Sequence, residues 1–166
     1  MTISRKNAVC APWLACLLFV LAFPLPAQEI GSPYLAAHAR DPVRWQAWGE
    51  AAFAESRASG RPLLLSIGYS ACYWCSVMHR ESFMDPAVAA RVNALVVPVL
   101  LDREERPDID ALYQDAAMRM GVQRGWPLTL FLDAEGRPFA GGAYFPDRPR
   151  AGMPSFVQLL ETTAAA

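Results

Sequence analysis

Lysine is nearly missing from this chain. Lys6 is the single example in 166 residues, and removal of the N-terminus would leave none. A Schiff-base lysine is thereby excluded, and arginine is the only permanent cation available near a thiol. Neither sign of charge is in excess: the net formal charge is −1. No basic cluster forms, which argues against a nucleic-acid partner. Histidine is scarce, with only His38 and His79. Internal repeats are lacking, and the one biased stretch is the alanine-rich C-terminal tail. What remains is a 54% hydrophobic chain of a length that suits one domain with a real core.

The first residues read as a targeting segment. Arg5 and Lys6 form a positive start, Ala8 to Phe23 an apolar run, and Pro24-Leu25-Pro26-Ala27 ends in a small residue before Gln28. The apolar run is shorter than the ~20 residues that a spanning helix needs. The expected organisation is therefore a signal peptide over residues 1–27, cleaved near Ala27, followed by one domain over 28–166. An uncleaved anchor is the alternative, because Leu25 is a poor residue three places before the cut. The expected location is exported and periplasmic, with no stable membrane span after cleavage.

Cysteine is sparse in the remainder. Cys10 and Cys16 leave with the leader, so the mature chain keeps only Cys72 and Cys75. A single close pair does not staple a scaffold, because the loop it closes is trivial. Chemistry explains it better. Pro62-Leu63-Leu64-Leu65-Ser66-Ile67-Gly68-Tyr69 reads as a buried strand. Beyond it Cys75, Met78, His79 and Ser82 recur at helical spacing. A Cys-X-X-Cys at a strand-to-helix junction places its first sulfur at unpaired helix N–H groups, which favour a thiolate. Cys72 is thus the expected nucleophile and the more exposed thiol, with Cys75 the shielded resolving thiol. Two alternatives stand beside this: an inert pair, or a metal site that adds His38 and His79 to the cysteines. The histidine spacing is not that of an ordinary zinc site, so no metal is expected, and nothing points to a cofactor.

The other elements follow from local signals. Asp41-Pro42 reads as a helix cap and first residue, with Trp45, Trp48 and Ala52 on one face and Gly60 as the stop. Asp85-Pro86 repeats the signal. Leu95 to Leu101 reads as a second strand, and its Pro98 belongs on a sheet edge. Asp102 to Asp110 is a charged turn before a helix with Leu112, Ala116 and Met120 on one face. Trp126 to Leu132 is a third strand, and Asp133-Ala134-Glu135-Gly136 turns it into a fourth. A last helix from about Pro154 carries Phe156, Leu159 and Leu160. This order predicts an α/β class with a thioredoxin-like fold: a central four-stranded mixed sheet flanked by helices.

Several stretches also resemble a known family. Ser32-Pro33-Tyr34-Leu35, His38, Asp41-Pro42-Val43, Trp45, Ser66-Ile67-Gly68-Tyr69-Ser70, Cys72, Trp74-Cys75, Arg80-Glu81-Ser82-Phe83 and Gly125-Trp126-Pro127-Leu128 are similar to the spermatogenesis-associated protein 20-like thioredoxin domain family. That family usually reads Cys-His-Trp-Cys-His, and Tyr73 and Ser76 replace both histidines here. The resemblance implies that Pro127 is the cis-proline that faces the thiols, and that Trp74, Trp126 and Pro127 border the substrate. Thioredoxins carry a buried Asp six residues before the first cysteine; Ser66 stands there, and Glu81 or Asp102 are the acids left to substitute. In the family the domain commonly precedes a helical-barrel domain, which here would be a separately encoded partner. The expected function is a thiol–disulfide oxidoreductase acting on protein thiols and disulfides. The alternatives are a non-catalytic docking module for such a sugar-processing partner and a soft-metal carrier.

Overall fold

A computed structural model describes residues 31–164. The proposed leader lies outside them. Six α-helices and four strands follow in the order α1 (Pro33–His38), α2 (Glu50–Ser59), β1 (Leu63–Gly68), α3 (Tyr73–Met78), α4 (Pro86–Leu95), β2 (Val97–Asp102), α5 (Pro107–Arg119), β3 (Leu128–Leu132), β4 (Pro138–Gly142) and α6 (Phe156–Ala164), with a π-helical turn at His79–Phe83 between α3 and α4. The sheet order is β2-β1-β3-β4. β1 runs parallel to β2 and antiparallel to β3, and β4 closes as an antiparallel hairpin on β3. The predicted α/β thioredoxin-like architecture, with its four-stranded mixed sheet, is what the chain adopts.

Strand periodicity sorts the core into two layers. Leu63, Leu65 and Ile67 of β1 pack with Val97, Val99 and Leu101 of β2 and Leu128, Leu130 and Leu132 of β3 against Ala52, Tyr113 and Ala117. Leu64 and Phe131 face the opposite layer, with Met78, Phe83, Val92, Phe156 and Leu160. Both faces of β1 are covered, which is why its sequence is an almost unbroken apolar run.

Pro98 does lie on a terminal strand, as its missing N–H requires. The outer side of β2 is nevertheless not bare. Gln46 donates its N–H to the Pro98 carbonyl at 2.9 Å and accepts from the Leu100 N–H at 3.1 Å. A short extended segment so protects the edge beside the proline.

Two expectations need correction. Asp41-Pro42 does not open a helix; α2 starts at Glu50, and Ser32-Pro33 carries the cap-plus-proline signal that works, with Ser32 Oγ accepting the Leu35 N–H at 2.9 Å. The Asp41 carboxylate is taken by side chains from elsewhere, so it cannot cap its own following amides. In α5 the face of Leu112, Ala116 and Met120 is not the buried one: Leu112 is 59% exposed, while Asp110, Tyr113, Gln114 and Ala117 face inward. Polar residues occupy that inward face because it builds the site, and this hid the true stripe. The signals at Gly60 and Asp85 operate as read. Gly60 adopts a left-handed φ of 69° as the α2 cap, and Asp85 Oδ1 accepts from the Ala87 and Val88 N–H groups.

Candidate functional site

Strand β1 ends at Gly68, a turn over Tyr69 to Ala71 follows, and α3 begins directly after Cys72. Cys72 is the N-cap residue of α3, and its Sγ accepts the Cys75 N–H at 3.1 Å. The short turn therefore places the first sulfur on an orphan amide. Cys72 and Cys75 form a disulfide, with Cα atoms 5.2 Å apart. The expected difference in exposure is not present in this state: Cys72 is 4% exposed and Cys75 3%. Tyr34 and Leu100 complete their cluster, with Tyr69 and Trp126 packed against it. The residues between the sulfurs project outward instead, Tyr73 at 69% and Trp74 at 49% exposure.

Two aromatic pairs lie around the motif. Trp74 lies 4.9 Å from the Tyr144 ring, and Tyr144 donates its hydroxyl to Glu81 at 2.6 Å. Burial raises the Tyr144 phenol to about 12, with the Glu81 bond and charge acting in the same direction. Packed against the cysteine cluster, Trp126 meets Tyr69 edge-on at 5.8 Å, and the Arg103 guanidinium lies 4.0 Å over the Trp126 ring. Trp126 also donates its indole N–H to Asp110 at 2.9 Å.

The Trp126–Pro127 peptide is cis, as the Gly-Trp-Pro placement predicts, and Pro127 is buried. Gln114 holds the loop before it: its amide donates to the Gly125 carbonyl at 3.0 Å and accepts the Gly125 N–H at 3.3 Å. Asp110 and Gln114 thus tie α5 to the loop. Sequence reasoning missed both, although polar residues at helical spacing beside Tyr113 were a usable signal.

The acids named as substitutes part company. Glu81 is engaged with Tyr144. Asp102 is buried at the end of β2, accepting from the Ser32 hydroxyl at 2.5 Å and the Glu104 N–H at 2.8 Å. Ser66 is fully buried, and its Oγ has no hydrogen-bond partner among the described residues.

The histidines do not join the cysteines in a metal site. They flank the buried Asp41 side chain: His38 Nδ1 and His79 Nε2 each lie 2.7 Å from a different carboxylate oxygen, and Trp45 donates its indole N–H at 2.9 Å. The three side chains bring donor atoms within 4.8 Å of one another, a set that could hold a divalent ion. Each is already satisfied by these hydrogen bonds, and Cys72 and Cys75 are bonded to each other.

A mixed sheet with a helix-capping Cys-X-X-Cys disulfide next to the Trp126–Pro127 loop defines a thioredoxin-fold thiol protein. The chain belongs to the Thioredox_DsbH family, described as a protein family of unknown function (DUF255), whose model matches residues 27–166. It is similar to spermatogenesis-associated protein 20 of Homo sapiens, with 43% identity over 122 residues, covering 74% of this chain and 15% of that protein. Among solved structures it is similar to a DsbH oxidoreductase, with TM-score 0.55, 19% identity, and coverage of 74% of this chain and 83% of that one. It is also similar to a thioredoxin from Thermus thermophilus, with TM-score 0.51, 24% identity, and coverage of 74% and 87%. These two likenesses show the fold. The chain spans under a fifth of the length of the curated relatives it matches.

Proposed function

We propose that this protein is an exported thiol–disulfide oxidoreductase acting on protein thiols and disulfides. The observation that carries the reading is the Cys72–Cys75 disulfide at the start of α3, with Cys72 Sγ already receiving the Cys75 N–H. The same amide stabilises a Cys72 thiolate once the pair is reduced, which makes Cys72 the nucleophile. Attack on a substrate disulfide breaks that S–S bond, forms a Cys72 mixed disulfide and releases the other substrate sulfur as a thiolate. Cys75 then attacks Cys72 Sγ, the substrate sulfur leaves, and the internal disulfide returns. Trp74 and the Trp126–Pro127 loop border the approach to the sulfurs and would contact the substrate chain.

Variants that separate the two half-steps test this. Cys75→Ser should accumulate long-lived mixed disulfides with exported proteins on non-reducing gels, and Cys72→Ser should not. Wild-type protein supplied with a dithiol reductant should reduce insulin, and Cys72→Ser should lose at least ~100-fold of that rate, because the nucleophile is gone. Trapping by neither variant, together with no insulin reduction, would favour the docking-module reading.

A further inference from the structure

Tyr34 lies early in the chain, yet α1 carries it to the thiols. Gly68 makes the approach feasible by supplying room. A β-carbon there would stand 2.4 Å from the Tyr34 hydroxyl oxygen and 3.0 Å from Cys75 Sγ. Hydroxyl and sulfur therefore share the space above Gly68, and Tyr34, Cys72 and Cys75 are buried in one cluster. Ser66 precedes Gly68 by two residues on the same face of β1, again with a buried hydroxyl and no carboxylate.

In the disulfide, Cys75 Sγ is uncharged and needs no donor. During resolution it must carry negative charge in a buried setting, which is costly without a hydrogen bond. We propose that the Tyr34 hydroxyl donates a hydrogen bond to the Cys75 thiolate, and that this neutral donor serves the resolving step while the Asp102 carboxylate is held by Ser32 and Glu104. The proposal rests on the redox reading above. In that step the Cys75 thiol gives up its proton and its sulfur attacks Cys72 Sγ. The Cys72–substrate S–S bond breaks as the Cys72–Cys75 bond forms. The substrate sulfur is reduced and takes the proton, Cys75 is oxidised, and Cys72 passes from one disulfide to the other.

The phenol is suited to donate and not to accept a proton permanently. Burial raises its pKa far above the usual value; the Ser66 hydroxyl beside it acts in the opposite direction, and the charges of Asp102 and Asp41 act with burial. The titratable groups around the pair are Asp102 from β2, His38 on α1, Asp41 after it, and His79 beyond Cys75; Arg103 reaches the cluster through Trp126 and Tyr69. Asp102 is itself occupied by Ser32 and Glu104.

The test titrates Cys75 as the lone thiol of the purified Cys72→Ser protein without residues 1–27, following thiolate absorbance in the ultraviolet. Adding Tyr34→Phe, which keeps the ring packed on His38, should raise the Cys75 pKa by roughly one pH unit or more. In the two-cysteine protein, Tyr34→Phe should slow release of a preformed mixed disulfide about tenfold at neutral pH, with the rate recovering as pH rises. A purely structural role would give no such recovery. Site-specific fluorotyrosine at position 34, a stronger donor of nearly the same shape, should shift the Cys75 pKa downward and covers the case in which Tyr34→Phe folds poorly. A Cys75 pKa unmoved by either change overturns the proposal. If wild-type protein exchanges no disulfides at all, the redox reading fails separately, because the thiolate titration needs no substrate.

Discussion

A β-carbon at position 68 would meet the Tyr34 hydroxyl oxygen at 2.4 Å and Cys75 Sγ at 3.0 Å. The Gly68 φ is not left-handed, so glycine is needed there for space and not for backbone freedom. Gly68→Ala should therefore act as overpacking, lowering stability by ~1–3 kcal/mol. Denaturant unfolding of the oxidised protein measures this. An unchanged midpoint would mean that Tyr34 moves aside freely. Other site residues were open to sequence reasoning to different degrees. Cys72 was legible as a capping sulfur because a cap is a local event, set by the turn between β1 and α3. Tyr34 was readable only as a core aromatic, because its role depends on which strand end its hydroxyl meets.

Among the elements, the join between α1 and the π-helical turn after α3 rests on Asp41, which holds His38 from one side and His79 from the other. The His38 pKa is lowered from the model-peptide 6.5, first because burial disfavours the imidazolium; the Asp41 hydrogen bond opposes this and the His79 charge adds to it. The sign follows directly. Between the lowered value and 6.5 the unfolded chain binds more protons than the folded one, so stability rises with pH in that window. The contribution is complete above 6.5 and is lost as pH falls through the window. His38 should thus weaken the fold on acidification by up to about 1.4 kcal/mol per pH unit. Denaturant titrations at several pH values measure the slope, and His38→Gln should flatten it. A slope unchanged by that substitution would assign the acid sensitivity to other groups. The same join explains the failed helix start at Asp41: a capping carboxylate is available to its own amides only if nothing farther away claims it.

On the scale of the whole molecule, the proposed export would leave Cys72 and Cys75 as the only cysteines. The charged start, the apolar run and Ala27 predict a mature chain beginning near Gln28, with Cys10 and Cys16 gone. N-terminal sequencing of the exported protein should begin at or near Gln28, and a retained Met1 would leave the anchor reading in place. No helix among the described residues is long and apolar enough to cross a membrane.

What the amino-acid sequence determined by itself is whatever a short window of chain can encode. The apolar run of β1 marks a strand covered on both faces. Asp85-Pro86 starts a helix, Pro98 selects a terminal strand, Gly-Trp-Pro marks the loop before β3, and the Cys-X-X-Cys marks the junction where chemistry is placed. Turn chemistry, caps and side-chain periodicity act over a few residues and need no partner to be read. The tertiary structure decided which distant groups converge. It brought Tyr34 over Gly68, used Asp110 and Gln114 to grip the Gly125 loop, gave both histidines to Asp41, and buried Cys72 as fully as Cys75. Those outcomes depend on how layers stack across the sheet. A polar residue on an inward helix face has no periodic signature that names its partner, and only the packed fold supplies one.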